Sequence, residues 1–294
     1  MKTDDHIPQR NTVLAAFIDI LGFKKRLYDV ASDEDLMRLY ADVRSVHKIF
    51  DKDPDNTMTK EAQDVTSKKV IALSDALVVT VDFNSPLAQV NGVFDVLAGE
   101  LSELAMCQGL AVARGIFLRG GLALGYHFRD NQGDILLSSA MARAYEAEEQ
   151  PFYPMFSCDD RFYRFFSEHP HNSHYAPDIA PNNNFFVLVK NPKTGKECHC
   201  LDYFHLMLGW LQQWNAPADL DAFRAEQDPE RKTQILTESY TRNELRFVED
   251  HMTAIKVELA KSHPPEVMSK YAWLREYHNK SVDDHGYALQ WKIK

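Results

Sequence analysis

Residues 13 to 18, VLAAFI, form an unbroken apolar run that delivers a lone carboxylate, Asp19. A run of this length and composition reads as a strand buried on both faces. Such a strand needs neighbours on either side, and this requirement limits the fold more than any other feature of the chain. It also poses a chemical question, because an unpaired buried carboxylate costs several kcal/mol. Asp19 must meet a cation, a set of donors or solvent at the strand end, or else cap the helix that follows.

The next segments say how the neighbours arrive. ASDEDLMRLYADVRSVHKIF places Leu36, Leu39, Tyr40, Val43 and Phe50 at helical spacing, with Ser32 and Asp35 as a capping-box start signal. After the polar connection DKDPDNTMTKEAQD comes KKVIALSDALVVTV, two apolar, partly β-branched runs split by Ser74-Asp75. That is the pattern of a hairpin with a carboxylate at its tip. A second amphipathic helix is expected from about Pro86 to Cys107, then the strand IFLRGGLALGYHF, whose Gly120-Gly121 pair admits a close backbone or ligand. Strand, helix, hairpin, helix, strand is the β-α-β-β-α-β order of a ferredoxin-like core, so the predicted class is α+β.

Beyond a turn at RDNQGD, a helix is expected at SSAMARAYEAEEQ, a strand near PFYPMFS, a short helix at DDRFYRFF, and an extra hairpin in FFVLVKNPKTGKECHCLDYF turning at Pro192 to Gly195. From about His205 the pattern is helical. Leu245, Val248, Met252, Ile255 and Leu259 make a short heptad seam, expected to pack on the core rather than on another chain. The division expected is a sheet-bearing domain over residues 1–204 and a helical C-terminal extension over 205–294, packed on it.

A net charge of −10 argues against a nonspecific DNA or RNA groove. A small anion is still admissible where a metal supplies the positive charge. The four cysteines fit no C-x-x-C pair and read as free thiols, with Cys198 and Cys200 at poor zinc spacing. His169, His171 and His174, in a Pro- and Asn-rich loop, read as surface residues. No apolar window of the roughly 18 residues a span needs is expected, and no signal peptide, so the expectation is a cytoplasmic chain without membrane or nucleic-acid partners.

In a ferredoxin-like sheet the first strand lies beside the hairpin, so Asp19 and Asp75 can converge on one edge. Two hard oxygen ligands there suit Mg²⁺ or Mn²⁺, with water and phosphate oxygens completing the shell. After Asp19, ILGFKKRL turns through Gly22 towards a helix whose free N–H groups could hold a triphosphate.

FIDILGF resembles the first metal motif of class III nucleotidyl cyclases, and ALSDALVV the second. The wording is most similar to the bacterial antiphage pyrimidine cyclases of the Pycsar system, through these two motifs, FLRGGLALG, SSAMARAYEAE followed by YPMF, and KYAWLREYHN. The resemblance implies a cyclase making a 3′,5′-cyclic nucleotide and pyrophosphate in a head-to-tail homodimer with sites at the interface. Asp19 and Asp75 would bridge two Mn²⁺ or Mg²⁺ ions, with the Ile20 carbonyl as a further ligand. Phe17, Ile20, Leu21, Gly22 and Phe23 would line the substrate. Phe50 would join them and, with Tyr40, help to frame the base, although the helical spacing of both favours packing in the core. Arg119 and Arg143 are rivals for stabilising the transition state, and Ser139 stands where an Asn is usual.

The chain departs from the purine enzymes at Ile71, where adenylate cyclases carry Lys and guanylate cyclases Glu, and at Ser74, where Gly is usual. The expected substrate is therefore UTP, or CTP, giving cUMP or cCMP as a second messenger during phage attack. A separate effector would meet the enzyme only through the diffusible product. The competing readings are a catalytically silent, nucleotide-sensing ferredoxin-like module and an adenylate cyclase.

Overall fold

The computed structural model describes residues 11–51, 61, 64–73, 75–129, 136–177, 179–211 and 217–294. Ser74, most of the polar connection after residue 51, the N-terminal segment and most of RDNQGD lie outside the described residues. The first elements are β1 (Asn11–Ile20), α1 (Phe23–Tyr28), α2 (Asp33–Asp51), β2 (Lys69–Leu73), β3 (Ala76–Asp82), α3 (Pro86–Asn91), α4 (Val93–Ala113) and β4 (Leu118–Arg129). There follow β5 (Leu136–Ser138), α5 (Ser139–Glu148), β6 (Phe156–Cys158), α6 (Asp160–Ser167), α7 (Pro181–Asn184), β7 (Phe186–Lys190) and β8 (Glu197–Leu201). The remainder is helical: α8 (Tyr203–Leu211), α9 (Pro217–Ala225), α10 (Pro229–Leu259) and α11 (Pro265–Asp284).

The apolar run does become an interior strand. The sheet order is β2-β3-β1-β4-β6-β8-β7, with β5 on β4. β1 is antiparallel to both β3 and β4, and β2 to β3. The first four strands thus stand 2-3-1-4 and all antiparallel, the ferredoxin-like arrangement expected from the element order. β6 then joins parallel to β4, and β8 and β7 continue antiparallel as the extra hairpin.

Small residues let α5 lie directly on this sheet. Val13, Ala15, Ala123, Ala140 and Ala144 form one buried cluster. A Cβ on Gly121 would collide with the Ala144 carbonyl and stand 2.5 Å from the Glu148 amide nitrogen. Glycine is required there because α5 backbone occupies the space a side chain would need.

Several expectations are corrected. The helix predicted from Pro86 to Cys107 is two helices broken at Gly92, whose φ of 90° is a conformation glycine reaches without steric cost. α4 is long and apolar enough to cross a membrane by length and composition, contrary to the sequence expectation, and 61% of that window is buried. On α2 the Ser32–Asp35 box forms, with the Asp35 amide donating to Ser32 Oγ at 3.2 Å. Phe50 is 1% exposed while Tyr40 is 55% exposed. Phe50 is a core residue with no face left for a base, and Tyr40 does not pack the core. His174 is exposed, as a surface residue should be, while His169 and His171 are half-buried and stack on the Phe94 ring, with centroids at 4.8 and 5.8 Å.

The chain divides into two units, Met1–Leu101 with Leu118–Leu201, and Ser102–Phe117 with Asp202–Lys294. The first holds the sheet. Within the second, Val248 and Ile255 of the heptad seam are buried. A buried polar chain also runs through its aromatic core. His278 Nε2 lies 2.7 Å from the Trp291 carbonyl, which only accepts, so that nitrogen carries the proton. The neutral ring then accepts at Nδ1 from His251 Nδ1, at 3.0 Å, and His251 Nε2 accepts from the Tyr203 hydroxyl at 2.8 Å.

Burial and the neighbouring His278 push His251 well below the usual histidine range, and burial lowers His278 as well. Both groups have folded pKa values depressed below their unfolded ones. On acidification the unfolded chain therefore binds more protons than the folded one, and stability present above about pH 6.5 is lost below it. The expected slope is up to about 1.4 kcal/mol per pH unit for each ring. Denaturant melts between about pH 7.5 and about pH 5 check this, and a midpoint constant over that range would refute it.

Candidate active site

Asp19 faces Arg119 directly across the β1–β4 ladder. Opposed residues of an antiparallel pair leave the same face of the sheet. Arg119 donates to Asp19 Oδ2 from Nε at 3.1 Å and from Nη2 at 2.8 Å. Its Nε also stands 2.6 Å from Oε1 of Glu148, the last residue of α5. One guanidinium thus sits between two carboxylates, and Arg119 is a cation that meets Asp19 at the strand end.

The three side chains differ in exposure. Arg119 is 36% exposed, Asp19 16% and Glu148 2%. Burial alone would pull Arg119 down, but the Asp19 hydrogen bond and the charges of Glu148, Asp19 and Glu149 outweigh it and hold the guanidinium above its ordinary value. Glu148 was not identified from sequence. The available signal was its place on α5, four residues beyond Ala144 and eight beyond Ala140, on the stripe that faces the sheet.

Asp75 lies in the turn between β2 and β3 and is half-buried. The last β1–β3 pair is Ile18 with Leu77. One further step sets Asp19 against Ala76, and the next sets Ile20 against Asp75. The two carboxylates therefore leave the same end of adjacent strands, roughly 6 Å apart at the backbone on ordinary ladder spacing. On the alternation of the pleat Asp75 would leave the face opposite Asp19, so what the register gives the two carboxylates in common is the strand end.

The segment after Asp19 is also placed. Ile20 is buried opposite Leu118, Leu21 is half-buried, and Gly22, with φ of 78°, begins the six-residue α1 with no side-chain cap. Phe23 is buried. Phe17, opposite Gly121 and thus on the Asp19 face, meets the edge of Tyr145 with centroids 5.2 Å apart. Arg143 is not brought to Asp19. Its Nη1 donates to the Leu124 carbonyl at 3.1 Å, some 17 Å along β4 from Arg119 at the usual strand rise. Ser139 Oγ is engaged by the Tyr126 amide at 3.1 Å. The two arginine rivals are thus separated within one chain.

Among the described residues, no group of three or more His, Cys, Asp or Glu is placed to hold a metal. Asp19, Asp75 and the Ile20 carbonyl supply hard oxygen donors and leave most positions to water and phosphate oxygens. That donor chemistry fits Mg²⁺ or Mn²⁺ and no soft metal. A shallow cleft of about 460 Å³ lies elsewhere, lined by Arg161, Arg164, Phe165, Glu168, His169 and Pro170.

No protein-family model and no curated protein matches this sequence. Among solved structures, a bacterial light-regulated adenylyl cyclase is similar at 14% identity and a TM-score of 0.37, over 67% of this chain and 92% of that one. A second structure of such a cyclase has the same identity and score over 79% of this chain and 58% of that one. Likeness at this level says nothing about activity.

Proposed function

We propose that this chain is a divalent-metal-dependent nucleotidyl cyclase that converts a pyrimidine nucleoside triphosphate, UTP in preference to CTP, into its 3′,5′-cyclic monophosphate and pyrophosphate. The observation that supports it is the pair Asp19 and Asp75 at one end of adjacent strands in a 2-3-1-4 antiparallel sheet, with Arg119 on the same face as Asp19. In the reaction the ribose 3′-hydroxyl gives its proton to solvent, its oxygen bonds to the α-phosphorus, the bond from that phosphorus to the bridging oxygen breaks, and pyrophosphate leaves with the electron pair.

Asp19, Asp75 and the Ile20 carbonyl would hold a Mn²⁺ or Mg²⁺ ion, which when bound would make the 3′-hydroxyl more acidic and neutralise the triphosphate. The backbone around Gly22 and Phe23 faces the phosphates, and Phe17 shapes the adjoining wall. Arg119 answers charge developing on the phosphoryl oxygens. Arg143, distant from Asp19 in its own chain, contributes across a homodimer interface. Ile71, apolar and half-buried on β2, offers a purine edge no hydrogen bond. The product carries a defence signal to a separate effector.

Purified protein with Mn²⁺ and each of the four nucleoside triphosphates tests this. The expected result is pyrophosphate and one cyclic product, mainly from UTP or CTP. No turnover with any of them overturns the proposal, and dominant ATP turnover replaces it with an adenylate cyclase.

One observation favours a second reading. Asp19 is already neutralised by Arg119, as suits a silent nucleotide-sensing module. Calorimetry showing tight triphosphate binding without product selects that reading.

A further inference from the structure

We infer that Arg119 is a resident counter-ion which a divalent cation must displace from Asp19, and that Glu148 is the positioning residue that keeps the displaced guanidinium. The inference deepens the proposed function and rests on it, because it takes Asp19 to be a metal ligand.

The asymmetry of the triad carries it. Both hydrogen bonds from Arg119 to Asp19 fall on one oxygen, Oδ2, at the end of a strand where the carboxylate reaches solvent. Glu148, at 2% exposure, is closed off beneath α5. Moving the guanidinium away from the buried Glu148 costs more than moving it from Asp19, which is 16% exposed and whose carboxylate an incoming cation can take. Arg119 is therefore anchored on one side and detachable on the other. Without Glu148 its charge would be answered chiefly by Asp19, which it would hold against the metal. The close seat of α5 on Gly121 is what brings the Glu148 backbone to the strand.

Mn²⁺ titration of the nucleotide-free protein, followed by electron paramagnetic resonance, tests this without reference to turnover. Glu148→Gln is expected to weaken Mn²⁺ binding about tenfold, Glu148→Asp to restore most of the loss because the charge returns, and Arg119→Met/Glu148→Gln to bind more tightly than wild type because the competitor is gone. Circular dichroism of each variant establishes that it is folded, and the double variant, free of any stranded charge, is the reserve should Glu148→Gln not fold. If wild type binds Mn²⁺ no better than Asp19→Asn, the proposed function fails and this inference with it. If Asp19→Asn abolishes binding but Glu148→Gln binds as wild type does, or the double variant binds no more tightly, only the inference is overturned.

Discussion

Asp19→Asn is expected to lose about a thousandfold or more in triphosphate turnover while its melting temperature moves by only a few degrees. The two effects separate because the side chain has two separable jobs. As an ion-pair partner it can be spared: Arg119 keeps Glu148 at 2.6 Å, and the amide oxygen of Asn still accepts from the guanidinium. That exchange costs about 1 kcal/mol, which in a chain of this size is a shift of roughly 2–4 °C. As a ligand it cannot be spared, because a neutral amide oxygen binds a hard divalent cation far more weakly than a carboxylate, and several kcal/mol of transition-state stabilisation go with it. Asp75→Asn should behave alike, since Asn suits a hairpin turn as well as Asp does. Pyrophosphate release and thermal melts on the same samples decide the matter. A variant that melts early yet turns over normally would make Asp19 a structural partner of Arg119 and nothing more.

What could be read from the chain, and what could not, follows from where the information resides. β1 and β3 were legible because burial on both faces writes itself as an unbroken apolar run, and the order of strands then follows from element order alone. The Ser32–Asp35 cap was legible because it is local. Glu148 was not, since a carboxylate near a helix end ordinarily meets water, and its burial depends on Gly121 in a different element. Phe50 and Tyr40 share one helical stripe in sequence yet have opposite fates, because the buried sector of α2 is narrower than its apolar periodicity. The Tyr203, His251 and His278 chain was equally hidden: its members are far apart in sequence, on different helices, and no spacing rule joins them. The same limit divides Arg119 from Arg143. Motif order makes them equivalent candidates, and only the ladder register puts one of them against Asp19.

Gly121→Ala is the substitution expected to do most damage to the fold for the fewest atoms. The added methyl would point into α5 and strike the Ala144 carbonyl and the Glu148 amide. Both are backbone groups, so no rotamer change can relieve the contact and the helix itself must lift from the sheet. Lifting it opens the layer of Val13, Ala15, Ala123, Ala140 and Ala144, whose small side chains cannot fill a wider gap. The combined cost is about 3 kcal/mol, a fall of roughly 6–12 °C in melting temperature. Gly99→Ala is the matched control: nothing lies within 4 Å of its Cβ, and in the middle of α4 the same methyl should be neutral or stabilising by up to about 1 kcal/mol. A rise of α5 also withdraws Glu148 from Arg119, so whatever Gly121→Ala protein remains folded should resemble Glu148→Gln in its Mn²⁺ titration. Melts in which the two alanine variants coincide would show that α5 does not rest on Gly121, and the positioning of Glu148 would lose its structural basis.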